Sequence, residues 1–370
     1  MRPDIAILSP LGRSGSGSHG GITPVVMALS GALCEAGASV ELVTFAPSDP
    51  RRSLPNLPAD VMLHNLGSAT RRRHVQRLKG YLARRSPQAL LSAGHRANML
   101  AAGFVGGDTR IVLSVHNALS PGLSRLNRWR RWLRVRELRR AYPQVDAIVC
   151  VSNGVAADLG RLVPAVPPKV RVVYNPVALS ERDAAAPLHP WLTDRAGPVI
   201  VAAGRLTAQK DFATLIRAFA GLQVGPPVRL LILGEGPERD GLLRLSRQLG
   251  VADRVALPGF VTNPRAHMAA AALFVLSSAW EGFGNVLVEA MAAGTPVIAT
   301  DCPSGPREIL EDGRFGLLTP VGDAAGLSAA MVEALAAPHD VERLRARAAA
   351  FAPAAVAGRY LELLLPDLGR

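Results

Sequence analysis

Cysteine is scarce in this 370-residue chain: Cys34, Cys150 and Cys302 lie far apart, in no Cys-x-x-Cys or Cys-x-x-His pair. That excludes a disulfide framework and a structural zinc site, and it fits a reducing compartment. Each cysteine reads as a small buried hydrophobe. Paired metal-binding acids are missing as well, with no Asp-x-Asp and no His/Asp cluster at ligand spacing. Long apolar runs are absent: nothing approaches the roughly 18 residues a spanning helix needs. The run at residues 5–8 falls short of the ~7–15-residue core of a secretory signal. The expectation is a cytoplasmic chain, soluble or peripheral on the cytoplasmic face of a membrane.

Acidic residues are few where basic ones are dense. Between Arg51 and Arg140 only Asp60, Asp108 and Glu137 oppose two arginine clusters, in a chain with a formal net charge of +13. Two readings are compatible with this: a solvated arginine-rich surface, or an electrostatic patch for a polyanion such as an anionic lipid surface. No nucleic-acid recognition motif accompanies the charge, so nucleic acid is not expected as a partner.

What is present is core-forming material. Apolar residues make up 49% of the chain, enough for two domains of roughly 150–200 residues each. Short β-rich runs alternate with helical stretches: residues 4–9, a Gly/Ser loop at 12–21, a helix over 23–36, then strands at 40–45, 89–92, 111–116, 147–151 and 170–174. The Pro-bearing stretch 178–197 is a linker, after which the alternation restarts at 198. Strands alternating with helices imply parallel, doubly wound sheets, whose ligands bind beyond the carboxyl ends of the strands. The expected division is 1–177, a linker at 178–197, 198–350, and 351–370, a C-terminal helix crossing back towards the first domain, within a helical stretch read at 341–365.

The densest signal is the run WEGFGNVLVEAMAAGTPVI at residues 280–298. A strand at 273–277 feeds a glycine-bearing loop that opens a helix near Asn285, read here as its N-cap. Gly282 and Gly284 remove side chains where a ligand approaches the backbone, and the helix start suits an anion. Glu281 and Glu289 are eight residues apart, about 12 Å if helical throughout. That is too far for a shared-proton pair and suits hydroxyl groups at two ends of one elongated ligand. In GRLTAQK, Arg205 and Lys210 follow a strand that ends at Gly204, where two cations would meet a diphosphate.

Glu281 to Glu289 resembles the Glu-x7-Glu motif of glycosyltransferase family 4, which has the GT-B fold. The resemblance extends through VEAMAAGTPVIATDCPSGPREIL (288–310), VAAGRLTAQKDFATLIRAFA (201–220), LILGEGPERDGL (231–242), LPGFV (257–261), VSNGVAADL (151–159) and VVYNPV (172–177). It implies two Rossmann-like α/β domains facing a cleft. It implies retaining, metal-independent transfer of a hexosyl group from a nucleotide-diphosphate sugar, uridine being the family's common base, to a glycan or lipid-linked acceptor in cell-envelope polysaccharide synthesis. No cofactor or metal is expected.

By the same resemblance, Glu281 contacts the transferred sugar, Glu289 holds the donor ribose, and Arg205 with Lys210 binds the diphosphate. The surrounding Gly204, Gly282, Phe283, Gly284 and Asn285 complete the donor site. Gly20 and Gly21 resemble the family's paired glycines beside the donor phosphate, with a plain flexible turn as the other reading. His116, at a strand end, resembles the first domain's histidine beside the sugar; His95 is a weaker candidate, and a structural role is open for both. A sugar-nucleotide epimerase and a non-catalytic sugar-nucleotide-binding protein share the architecture and stand as alternatives.

The segment Leu123–Arg140 (LSRLNRWRRWLRVRELRR) places Leu126, Trp129, Trp132, Leu133 and Leu138 near one helical face with arginines around them. It reads either as an interfacial helix on an anionic membrane surface or as a helix packing its tryptophans into the core.

Overall fold

The computed structural model describes residues 2–10, 21–45, 54, 57–179, 187–194, 196–222 and 227–367. The chain divides into two compact units, Met1–Ala178 with Phe351–Arg370, and Leu179–Ala350. The first runs β1 (Ile5–Ser9), α1 (Ile22–Glu35), β2 (Val40–Thr44), β3 (Met62–Asn65), α2 (Arg71–Arg85), β4 (Ala89–Ala93) and α3 (His95–Ala101). It continues with β5 (Arg110–Val115), α4 (Ser120–Ser124), α5 (Arg128–Ala141), β6 (Ala147–Cys150), α6 (Asn153–Leu162) and β7 (Val170–Val172). The second runs β8 (Val199–Ala203), α7 (Phe212–Ala220), β9 (Arg229–Leu233), α8 (Arg239–Gln248), β10 (Val255–Gly259), α9 (Pro264–Ala269) and β11 (Leu273–Leu276). It closes with α10 (Asn285–Ala292), β12 (Val297–Thr300), α11 (Pro306–Ile309), β13 (Leu317–Thr319), α12 (Ala324–Ala336) and α13 (Val341–Ala349); α14 (Pro353–Leu364) belongs to the first unit.

Every strand pairing is parallel. The first sheet has the order β3-β2-β1-β4-β5-β6-β7 and the second β10-β9-β8-β11-β12-β13. Central strands such as β1 and β8 are buried along their whole length, which is why they read as unbroken apolar runs rather than alternating ones. In each sheet the order reverses once, between β1 and β4 and between β8 and β11. That reversal splays the loops leaving the two strands and opens a ligand crevice at their carboxyl ends.

Several expected boundaries move. The strand expected at 111–116 spans Arg110–Val115, so His116 lies just beyond it. The helical stretch 341–365 is two helices, because Pro353 has no amide to continue the first and starts the second instead. Sequence patterning missed β3 and β13, which are short edge strands with mostly half-buried residues and weak apolar signal. Asn285 is not the N-cap of α10: Gly284 caps it with φ +103°, and Asn285 is the first helical residue. A left-handed backbone is needed there, which glycine adopts without a Cβ penalty.

One glycine locks two loops of the second unit together. Gly305, after β12, has φ +93°, and a Cβ there would fall 1.8 Å from the carbonyl oxygen of Phe283. Gly305→Ala is therefore expected to cost about 3 kcal/mol, through strain and backbone clash. Gly21→Ala, at φ −52° and with no described atom within 4 Å of its Cβ position, should stay within about 0.5 kcal/mol. Urea unfolding of the two variants checks the contrast.

Candidate active site

In the second unit the loops leaving β8, β11 and β12 meet at the strand-order reversal. Leu206 is fully buried and anchors the first loop, which then turns at Thr207–Lys210 (Lys210 N to Thr207 O, 2.9 Å). It is stitched to the β11 loop at both levels: Ala279 N donates to Gln209 O (2.8 Å), Gln209 Nε2 to Trp280 O (3.0 Å) and Ser277 Oγ to Lys210 O (2.8 Å). Thr300 Oγ1, at the end of β12, donates to Ser278 O (2.6 Å). Asp211 adopts a left-handed backbone and caps α7 through Thr214, which fixes the exit of the loop.

That framework presents one ion pair. Lys210 Nζ lies 2.5 Å from Glu281 Oε1, and Ser278 Oγ donates to the same oxygen at 2.7 Å. The side chains are 15% and 8% exposed, so the pair sits largely out of water, where such a contact is strong but each charge depends on the other. The Lys210 stem lies across Gly204: a Cβ there would be 2.8 Å from Lys210 Cε. Arg205 follows, exposed at the start of the same loop.

Beyond Glu281, the residues Gly282, Phe283 and Gly284 are buried and lead into α10, whose start has no side-chain cap. A positive helix end without a capping carboxylate suits an anion. Glu289 lies in the second turn of α10. Burial raises its carboxyl pKa above the ordinary 4.5, against the opposing charges of Arg265 and Lys210. The structure thus gathers Gly204, Arg205, Lys210, Glu281, Gly282, Phe283, Gly284, Asn285 and Glu289 around the loops and helix that follow two adjacent strands. Among the described residues no cluster of three His, Cys, Asp or Glu side chains could hold a metal ion. Cys302 is buried beside this site with its thiol pushed up to about 12, by burial first and then by the Glu281 charge, so it is inert.

Two residues of the site carried no sequence signal. Ser278, two residues past β11, looks like any loop serine until its hydroxyl is seen on Glu281. Arg265 is one of many arginines; its charge acts on Glu289 and its guanidinium donates to Leu179 O.

His116, Gly20 and Gly21 belong to the first unit. Gly20 and the loop from Gly12 lie outside the described residues. Gly21 precedes α1 in an ordinary right-handed conformation. His116 follows β5, with Nε2 3.0 Å from Ser114 Oγ. A buried chain supports that strand end: Ser92 Oγ donates to Asn98 Oδ1 (2.7 Å), and Asn98 Nδ2 to Ser114 O (2.9 Å). Burial lowers the His116 pKa to about 4, with Asn175 opposing, so the ring is neutral at physiological pH. His95 begins α3, its pKa lowered by burial and then by Arg134.

The segment Leu123–Arg140 is not one helix but α4 and α5, with Asn127 capping the second through Arg130 N (2.9 Å). Only Leu138 of α5 is buried; Trp129 and Trp132 are 66% and 48% exposed and stack at 5.1 Å. The reading in which both tryptophans pack into the core is excluded.

Glu289 sets a testable pH signature. A carboxyl whose folded pKa is raised holds its proton longer folded than unfolded, so stability falls as pH rises from 4.5 through the raised value. Glu289→Gln should remove that fall and be more stable than the parent at pH 7. Denaturation midpoints at pH 4 and pH 7 for both proteins check this; equal pH dependence would contradict it.

The family model for Glycosyltransferase Family 4 matches residues 19–181, and that for Glycosyl transferases group 1 matches residues 190–351. The chain is 35% identical over 230 residues to the N-acetylgalactosamine-N,N'-diacetylbacillosaminyl-diphospho-undecaprenol 4-alpha-N-acetylgalactosaminyltransferase of Campylobacter jejuni, covering 61% of each protein. It is 36% identical over 231 residues to the lipopolysaccharide core biosynthesis glycosyltransferase LpsE of Rhizobium meliloti, covering 60% of this chain and 65% of that one. These matches thus span somewhat under two thirds of the curated relatives' own length. Anabaena HepE, solved in complex with UDP, superimposes with a TM-score of 0.76 at 20% identity, covering 98% of this chain and 99% of that one. Two parallel α/β units, the loop-borne Lys210–Glu281 pair and both family matches lead to one assignment: the chain belongs to the family 4 glycosyltransferases of the GT-B fold.

Proposed function

We propose that this chain transfers a hexosyl group from a nucleotide-diphosphate sugar, a UDP-sugar in the first instance, to a hydroxyl of a glycan or lipid-linked saccharide. The transfer retains the anomeric configuration and needs no metal. The observation that carries the reading is the Lys210–Glu281–Ser278 cluster beside the start of α10. A cation and a helix end suit the diphosphate, and a fixed carboxylate suits the sugar's hydroxyls. Relatives named as a diphospho-undecaprenol N-acetylgalactosaminyltransferase and a lipopolysaccharide core biosynthesis glycosyltransferase support the class, and a structural neighbour was solved with UDP.

In this reading Glu289 accepts from the ribose hydroxyls, and Lys210 with Arg205 meets the charge that grows on the leaving diphosphate. Fixed cations do so selectively in the transition state, which lowers the barrier. The acceptor oxygen bonds to the anomeric carbon on the face from which the diphosphate leaves. The C–O bond to the diphosphate breaks, and a departing phosphate oxygen takes the acceptor proton. His116 of the first unit, neutral, is suited to hydrogen bonding rather than to moving a proton.

Nucleotide release from a panel of UDP-, GDP- and ADP-sugars, with and without EDTA, tests this directly. One donor should be turned over equally in both conditions. Removing the Glu281 charge in Glu281→Gln should slow turnover by about 10²–10³-fold. Loss of all turnover in EDTA would overturn the metal-free reading, and a trapped covalent glycosyl-enzyme would overturn the same-face attack.

The lipid-linked acceptor class joins this to α5. No described helix is long and apolar enough to cross a membrane. The stacked Trp129–Trp132 pair, Leu133 at 40% exposure and Arg136 over the Trp132 ring make a surface that suits the headgroup level of an anionic bilayer. Vesicles containing phosphatidylglycerol should float with the protein, neutral vesicles much less, and Trp129→Ala with Trp132→Ala should release it. Flotation unchanged in the double variant would remove α5 from that role.

A further inference from the structure

The first unit holds a second basic site, away from β5 and His116. A cavity of about 500 Å³ opens at the carboxyl end of β3, between that strand and α2. Helical spacing puts Arg77, Gly80 and Arg84 on one stripe of α2, and all three line the cavity. The glycines make the room: a Cβ at Gly80 would come within 3.2 Å of Arg84 Nη1, and one at Gly67 within 3.0 Å of Arg77 Nη1. Arg77 is pinned by donating to Leu66 O. Arg84, among the described residues, makes neither a hydrogen bond nor an ion pair and is exposed.

Among the described residues the wall carries no acid. Tyr81 Oη and Arg85 Nε both donate to the buried Glu41 of β2, at 2.8 and 3.0 Å, which fixes the roll of α2 against the sheet. Glu41 is thereby matched by Arg85, and among the described lining residues no carboxylate faces Arg77 and Arg84. His64, Asn65 and Gln76 add polar groups. His64 packs on Tyr81 at 4.8 Å, and its pKa is lowered, by burial first and also by Arg84 and Arg85, against Glu41.

We propose that this cavity binds a phosphoryl group carried on a larger molecule. Two guanidinium forks offer more donors than a single carboxylate can accept, whereas a tetrahedral phosphate dianion uses them fully. The volume exceeds what a lone phosphate fills and falls in the range of small-molecule pockets, so the group comes attached to a saccharide or a lipid headgroup. Since β3 is four strand spacings of about 4.8 Å from β5, the site lies about 19 Å along the sheet edge from His116. That distance suits the far end of an elongated acceptor. The acceptor role rests on the transferase reading; the binding itself does not.

Calorimetry on the full chain tests the binding with glucose 6-phosphate in one arm and, in a Trp129→Ala/Trp132→Ala background that removes the vesicle binding proposed for α5, phosphatidylcholine vesicles doped with phosphatidic acid in the other. Three proteins are compared: the parent, Arg84→Ala and Arg72→Ala, the last removing a charge of α2 that does not line the cavity. At least one arm should show saturable binding that weakens by about tenfold or more in Arg84→Ala and by less than about twofold in Arg72→Ala. The arm that does so names the source of the phosphate. Binding in neither arm, or equal losses in the two variants, would overturn the site and reduce it to a diffuse basic surface. Neither result touches the donor site, which these substitutions leave intact.

Discussion

The Lys210–Glu281 ion pair is the contact around which the second unit is arranged. Removing a carboxylate and an ammonium from water costs several kcal/mol each, and their attraction repays this only with good geometry and further hydrogen bonds. Both conditions are met by neighbours with no other evident task. Ser278 supplies a second bond to Glu281, Gln209 and Ser277 tie the two loops together, and Gly204 leaves space for the lysine stem. Those loops in turn depend on β8 and β11 being adjacent although they are far apart in sequence. The reversal of strand order is what makes an ion pair between residues 71 positions apart a local contact.

The site also carries stored cost. Glu289 is held where burial disfavours its charge, and Arg265 and Lys210 offset that in part. A carboxylate kept in such surroundings is poorly placed for stability and well placed to accept from ligand hydroxyls that share its burial. Lys210 thus serves two carboxylates in the resting protein. In the transfer reading proposed above, an arriving diphosphate competes for it and so releases Glu281 towards the sugar.

The sequence was legible where function compresses several residue types into a short run. The run at 280–298 displays Glu281, the glycines and Glu289 together, and GRLTAQK displays both cations; the parallel α/β architecture follows from continuous apolar strands. Reading failed where a residue's meaning comes from a partner distant in the chain. Ser278 and Arg265 have ordinary neighbours in sequence, and only the fold sets them against Glu281 and Glu289. Asn285 misled because a good capping residue stands one place after the position that needs a left-handed backbone. The α5 tryptophans could be read either way, since apolar periodicity does not say whether a partner element covers the stripe; in the fold Leu138 alone finds one. The Arg77–Gly80–Arg84 stripe was visible only as charge, because its cavity is made by β3, an edge strand too short to announce itself.

The central claim is that Lys210 leaves Glu281 for the donor diphosphate, and the most direct test is binding rather than turnover. UDP, GDP and ADP would be titrated calorimetrically, in EDTA, into the parent and Lys210→Ala. The account predicts that the nucleotide bound best by the parent loses about tenfold or more of its affinity in the variant. Equal affinity for that nucleotide in both proteins, with the variant folded, would contradict it and leave the ion pair a purely structural contact.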